Sequence, residues 1–282
     1  MGIRAVVTDF DNTITEERGL DPFFDAYTRE FCKVMDMQRA DYETALAEVK
    51  RDIEEQPLRY GWKSNGFFSA PVQGDPIGTN TVAHIEILER IRKGQIQGIS
   101  LRVPQSEAEV LEIKEQCYLE AYPQRETFFR EGAGEYLNIL GELFHGRVAI
   151  VSNSRDISIR KKLEKIPGLV TSPRIMGLAQ KMLVRSDEGQ YQPQGFPTPV
   201  NPDRPEYVSL LRNFHPTFSE LAVVGDNFFL DLSAILYVGG YAVLLDTEVT
   251  QGYEIPFLEQ HSHAHFARGY DSVIEFLKRH RA

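Results

Sequence analysis

Apolar residues recur along this chain with two different rhythms. Ala5-Val6-Val7 is an unbroken apolar run that ends in the polar string TDFDNTIT. A β-branched run of this kind predicts a strand covered on both faces, as in a parallel sheet. After Thr13 the period becomes helical. Phe23, Phe24, Tyr27, Phe31, Val34 and Met35 fall on one face of a first helix, and Tyr42, Ala45, Leu46, Val49 and Ile53 on one face of a second. Val82, Ile85, Leu88 and Ile91 mark a third; Val110, Ile113, Cys117 and Ala121 mark a fourth, opened by Pro104 and Ser106. Between these pairs the Gly-, Pro- and Asn-rich stretch RYGWKSNGFFSAPVQGDPIGTN reads as an ordered loop.

From about Gly132 helices and strands alternate. A helix with Tyr136, Leu137, Leu140 and Leu143 precedes the strand RVAIV, and a helix with Ile159, Leu163 and Ile166 follows it. Further on come a helix with Tyr207, Leu210, Leu211 and Phe214, the strand LAVV, another helix and the strand YAVLL. Alternation of this type predicts an α/β fold, a Rossmann-like parallel sheet with helices on both faces. The first strand joins that sheet, so its crossover contains the helical block. The expected division is an α/β core of residues 1–14 and 128–282, with an all-α cap of residues 15–127 inserted over the crevice. The segment from Thr171 to Pro205 carries no clear period.

Composition narrows the partners. The 282 residues carry a formal charge of −10, which argues against nucleic acid or an anionic membrane, since both call for clustered Lys and Arg. Small molecules are the expected partners. Cys32 and Cys117 are the only cysteines and have no metal-ligand spacing, so a reduced, cytoplasmic protein without a disulfide is expected. No apolar run approaches membrane-spanning length, and no signal peptide is expected at the N-terminus. Oligomeric state is not readable.

Three predicted strands end in polar motifs: DFDNT, then Ser152-Asn153-Ser154, then Gly225-Asp226-Asn227 through Asp231. Parallel strands deliver their C-terminal ends to one edge, which gathers Asp9, Asp11, Asp226 and Asp231. Like charges about 4 Å apart repel by ~1 kcal/mol in water and ~4 kcal/mol at an effective dielectric of 20. A cation is therefore expected among them, and an all-oxygen site with room for water and phosphate suits Mg²⁺. In this reading Asp9 is the nucleophile on a phosphate ester. Asp11 is the acid and base, Ser152, Asn153 and the turn they form hold phosphate oxygens, Asp9 and Asp226 ligate metal, and Asp231 supports the loop or a cation.

These motifs, in this order, resemble those of the haloacid dehalogenase-like hydrolases. TDFDNTIT is similar to the family's first motif, VSNS to its second and GDNFFLD to its fourth, and the insertion falls where the family carries a helical cap. The resemblance covers about residues 1–14 and 128–282. It implies a Mg²⁺-dependent phosphatase acting on a small phosphorylated metabolite, with the main-chain carbonyl of Asp11 as a further metal ligand. It also implies a phosphate-binding Lys, commonly in a Lys-Pro-x-Pro stretch about 25 residues before the fourth motif, where a point-charge cation steadies nucleophile and phosphate. Here Asn201 stands at that place. Arg204 and Lys181 are the substitutes, with Lys181 preferred because Lys fits the role.

Each feature also has a plainer reading. Ser154 or Asp156 can be a helix cap, and Lys181 taken alone reads as a solvated charge. His261, His263 and His265 suggest an exposed strand or loop, since no acidic or thiol cluster accompanies them. Trp62, Phe67 and Phe68 are expected to pack inside the cap. A phosphotransferase or mutase, and a binding protein that kept the fold without activity, remain alternatives to the phosphatase.

Overall fold

The computed structural model describes residues 2–56, 59–64, 66–97 and 102–282. Two compact units emerge. One comprises Met1–Glu16, Trp62–Gly74 and Thr127–Ala282, and the other Glu17–Gly61 and Asp75–Glu126. In chain order, β1 (Ala5–Asp9) and β2 (Thr15–Glu16) lead to α1 (Asp21–Met35) and α2 (Arg39–Glu55). Then come β3 (Trp62–Ser64), β4 (Phe67–Ala70), α3 (Pro76–Arg92), α4 (Glu107–Ala121) and β5 (Phe128–Phe129). The α/β run follows: α5 (Ala133–Leu143), β6 (Val148–Val151), α6 (Asp156–Leu163), β7 (Arg174–Met176), α7 (Pro205–Phe214), β8 (Leu221–Gly225) and α8 (Ser233–Tyr237). Last are β9 (Tyr241–Leu245), α9 (Glu254–Gln260), β10 (Ala264–Ala267) and α10 (Tyr270–His280).

The described strands of the main sheet run β10-β9-β8-β1-β6-β7, and every pairing in it is parallel. Thr8 lies opposite Ile150 of β6 and Val224 of β8, so the C-terminal ends of β1, β6 and β8 stand side by side. Chain order reverses direction at β1, which makes this edge the place where an open α/β sheet leaves a crevice. Alternation along β1 divides its side chains between two cores. Val6 packs with Tyr136, Leu140, Ile159 and Leu277, and Phe10 beyond the strand joins that cluster. Ala5 and Val7 pack with Tyr207, Leu211, Phe228 and Leu258 on the opposite face.

In the helical unit, α1 buries Phe23, Tyr27, Phe31 and Met35, while α2 buries Tyr42, Leu46, Val49 and Ile53. Ser106 caps α4 by accepting the Glu109 N–H at 3.1 Å, as the helix-start pattern predicts. No described helix is long and apolar enough to cross a membrane.

Five local expectations change. The stretch after Arg59 is not a loop but an antiparallel β3–β4 hairpin that belongs to the sheet unit; Asn65, within it, lies outside the described residues. Accordingly Trp62 packs against the second face of the main sheet rather than inside the helical unit. β7 was hidden because Arg-Ile-Met is too short to show a period. Arg155, not Ser154 or Asp156, occupies the N-cap of α6 without a side-chain cap; Ser154 instead donates to Asp11, and Asp156 accepts from the Gly177 N–H. The histidines stand on and beside the edge strand β10 and are partly buried, His263 stacked on Tyr241 and His265 on Phe276.

Candidate active site

Asp9 closes β1 and is 6% exposed, while Asp226 follows directly on β8. Asp9, Asp226 and Asp231 each offer a carboxylate oxygen within 4.8 Å of the others. Asp231 arrives from a π-helical turn, Phe228–Leu232, that Asn227 opens by accepting the Leu230 N–H. Its Oδ2 accepts the Asn227 N–H at 3.1 Å. That turn runs so close to β8 that a Cβ on Gly225 would lie 2.5 Å from Asp231 Oδ2. Glycine is needed there for the approach, not for its backbone angles.

Lys181, which taken alone reads as a surface charge, is 3% exposed. Its Nζ donates to Asp9 Oδ1 and, at 2.7 Å, to Asp231 Oδ1, and it lies 5.8 Å from the centre of the Tyr207 ring. Burial pulls the ammonium's pKa down, but the Asp231 and Asp9 carboxylates outweigh it and hold the pKa well above the usual lysine value. For Asp9, burial is the largest influence and pushes the pKa up; Lys181 pulls it down, while Asp231, Asp226 and Asp11 add to the rise. Leu178 and Gln180, both non-glycine, adopt left-handed backbone at φ 52° and 51°. Each costs on the order of 1–2 kcal/mol, a strain that surrounding contacts must hold.

The Asp11 carboxylate is turned toward the end of β6. Its Oδ2 accepts from Ser152 Oγ at 2.8 Å and Ser154 Oγ at 3.0 Å, and Lys162 Nζ lies 3.8 Å from Oδ1. Asp11 is half-buried and lies outside the cluster formed by the other three aspartates. Ser152 Oγ also accepts the Ser154 N–H at 2.9 Å. Asn153 Oδ1 accepts the Lys181 N–H at 2.9 Å, so the residue expected at the phosphate orients the lysine segment.

Asn201, at the place where the lysine is expected, and Arg204, the other candidate substitute, do different work. Asn201 is buried and donates to the Ser186 carbonyl while accepting the Asp203 N–H. Arg204 is also buried, its guanidinium donating to the Lys181 carbonyl and to Ser69. Neither is bonded to Asp9, Asp226 or Asp231 among the described contacts.

Sequence reasoning missed three groups around the pocket. Asn12, at φ 57°, donates from Nδ2 to Asp226 Oδ2 at 2.8 Å, and Thr13 Oγ1 donates to Oδ1 at 3.2 Å. The signal for Asn12 was its place after the second aspartate, since Asn is enriched in left-handed backbone. Arg130 donates to the Asn12 carbonyl and Tyr270 to that of Thr13, at 3.0 and 2.7 Å, which ties this turn down from two sides. Lys162, 5.4 Å from the centre of the Phe10 ring, adds a cation beside Asp11.

The donor set fits a hard divalent cation. Three carboxylate oxygens converge, while Lys181, in contact with two of them, supplies a single positive charge. The excess negative charge and the all-oxygen chemistry suit Mg²⁺. Among the described residues no other acidic, His or Cys cluster has metal-ligand spacing.

A family model for haloacid dehalogenase-like hydrolases matches residues 3–239. No curated protein sequence matches the chain. Among solved structures, the chain is similar to an HAD phosphatase from Thermococcus onnurineus, at 13% identity and a TM-score of 0.51, over 99% of this chain and 100% of that one. It is also similar to a haloacid dehalogenase-like family hydrolase from Xanthomonas campestris, at 14% identity and a TM-score of 0.50, over 99% and 91% of the two chains. At such identities the likeness is one of fold.

Proposed function

This chain belongs to the haloacid dehalogenase-like hydrolases, and on that premise we propose that it is a phosphatase of small phosphorylated metabolites working through an aspartyl-phosphate on Asp9. The observation that carries the reading is the convergence of Asp9, Asp226 and Asp231 within 4.8 Å with Lys181 in contact with two of them. In this reading the attacking carboxylate is that of Asp9, and the fixed cation beside it at the open end of the sheet is Lys181.

An Asp9 oxygen attacks phosphorus, forming the Asp9 O–P bond as the ester P–O bond breaks. Asp11, in its protonated form, gives its proton to the departing oxygen. Water then attacks the aspartyl-phosphate, Asp11 takes the water's proton, and the Asp9 O–P bond breaks to release phosphate. Ser152 and Ser154, bonded to Asp11 Oδ2, orient that carboxyl group for both transfers. Lys181 offsets the meeting of carboxylate with phosphate, and Asp231 keeps it aimed. Asp9, Asp226 and the Asp11 carbonyl are the proposed holders of Mg²⁺, with Asn12 and Thr13 fixing Asp226 from behind. Bound there, Mg²⁺ supplies charge neutralisation and orientation of the phosphoryl group.

Phosphate release from p-nitrophenyl phosphate, with Mg²⁺ and with chelator, tests the reading. Wild type is expected to turn over only with the metal, and Asp9→Asn to lose activity by several orders of magnitude. Equal rates for the two proteins refute the nucleophile.

A further inference from the structure

We propose that Arg204 and the β3–β4 hairpin act together as positioning elements for Lys181, which makes a segment from within the helical insertion part of the catalytic apparatus. The inference rests on the reading of Lys181 as the cation that serves phosphoryl transfer.

The lysine segment lies between two sets of anchors. On one side the turn after β6 holds it: the Leu178 and Ala179 N–H groups donate to the Ser154 and Ser152 carbonyls at 3.0 and 3.1 Å, and Asn153 accepts the Lys181 N–H. On the other side stands Arg204, 1% exposed. One guanidinium nitrogen donates to both the Lys181 carbonyl and Ser69 Oγ, the other to the Ser69 carbonyl at 2.7 Å. Ser69, on β4, donates its own hydroxyl to the Met182 carbonyl at 2.7 Å. Ser64, on β3, donates to the Val184 carbonyl at 3.4 Å. The hairpin thus meets three points of the segment just after Lys181, two directly and one through Arg204.

Burial explains why such a clamp is needed. A buried guanidinium calls for acceptors, and the two hairpin atoms and the Lys181 carbonyl serve its two terminal nitrogens, while Nε has none among the described residues. Burial pulls its pKa down to about 10, so it stays charged at neutral pH and the clamp persists. The left-handed backbone at Leu178 and Gln180 is a conformation the segment would leave if released. Arg204, three residues from where the family's lysine is expected, therefore does its work at one remove, through the lysine's own main chain.

The test uses Arg204→Met and the milder Ser69→Ala, alone and combined with Lys181→Met. With p-nitrophenyl phosphate, Arg204→Met is expected to lower kcat by at least about tenfold while KM shifts by less than about threefold, because the loss falls on the transition state rather than on binding. In the Lys181→Met background the same substitution should add little, the signature of residues acting as one unit. Amide hydrogen exchange gives a readout independent of turnover: Lys181 and Leu183 should exchange faster in Arg204→Met and Ser69→Ala, with β8 unchanged. Multiplicative kcat losses in the double variant, or unchanged exchange at Lys181 and Leu183, overturn the proposal. If exchange accelerates while Asp9→Asn matches wild type, the clamp stands and the assignment of Asp9 as nucleophile falls.

Discussion

Glu254, the first residue of α9, is 4% exposed, and burial raises its pKa from 4.5 to about 8, with a hydrogen bond from the Gln251 backbone opposing the rise. The folded chain therefore holds this proton more tightly than the unfolded chain does. The stabilisation that results is complete below pH 4.5, declines as pH rises, and is gone once pH passes about 8. The window between 4.5 and about 8 spans roughly 3.5 pH units, and at ~1.36 kcal/mol for each the site removes on the order of 5 kcal/mol. Glu254→Gln keeps the shape and stays neutral at every pH, so this term vanishes. Urea unfolding of both proteins across the window should show the variant gaining on wild type as pH rises, by several kcal/mol at the alkaline end. A difference that stays constant with pH would refute the reasoning, because a neutral amide and a permanently ionised carboxylate differ by no proton.

Gly225→Ala places a methyl 2.5 Å from Asp231 Oδ2 and 2.6 Å from its Cβ, so thermal melting should report a loss of about 1–3 kcal/mol and turnover should fall with it; a wild-type rate would show that Asp231 need not hold Lys181. Asn12→Ala removes the amide from Asp226 and puts alanine at φ 57°; Asn12→Gly relieves the backbone but not the lost bond. Titration calorimetry should find Mg²⁺ binding weakened in both, with the alanine protein alone less stable by about 1 kcal/mol or more. In the helical unit, neither amide atom of the buried Asn80 has a partner among the described residues. Asn80→Leu is therefore expected to raise stability by about 1–3 kcal/mol, and a loss on melting would show that the amide is satisfied after all.

The features legible in the sequence were those with a repeating physical cause. β1, β6, β8 and β9 announce themselves through unbroken apolar runs, and their alignment follows once a parallel sheet is inferred, which is why the strand-end motifs are legible. α1 to α4 were readable from their apolar faces. β7 and the β3–β4 hairpin were not, because three or four residues show no period and the hairpin's Gly and Asn resemble those of a loop. Lys181 taken alone reads as solvated, since nothing local reveals that Asp9 and Asp231, 172 and 50 residues away, enclose it. Arg204 reads as a substitute cation, whereas its bonds to main-chain carbonyls depend on a fold that brings Ser69 beside it.

The anchoring of Lys181 has a consequence for how such enzymes diverge. Its ammonium is located by attachments at residues 152–154, on the β3–β4 hairpin and at 204, so the span of 185–203 is not itself what locates the charge. These contacts fix where the cation ends up in space and do not fix its ordinal place in the polypeptide. Homologues that look defective when aligned by counting residues need inspection in three dimensions before they are dismissed as inert.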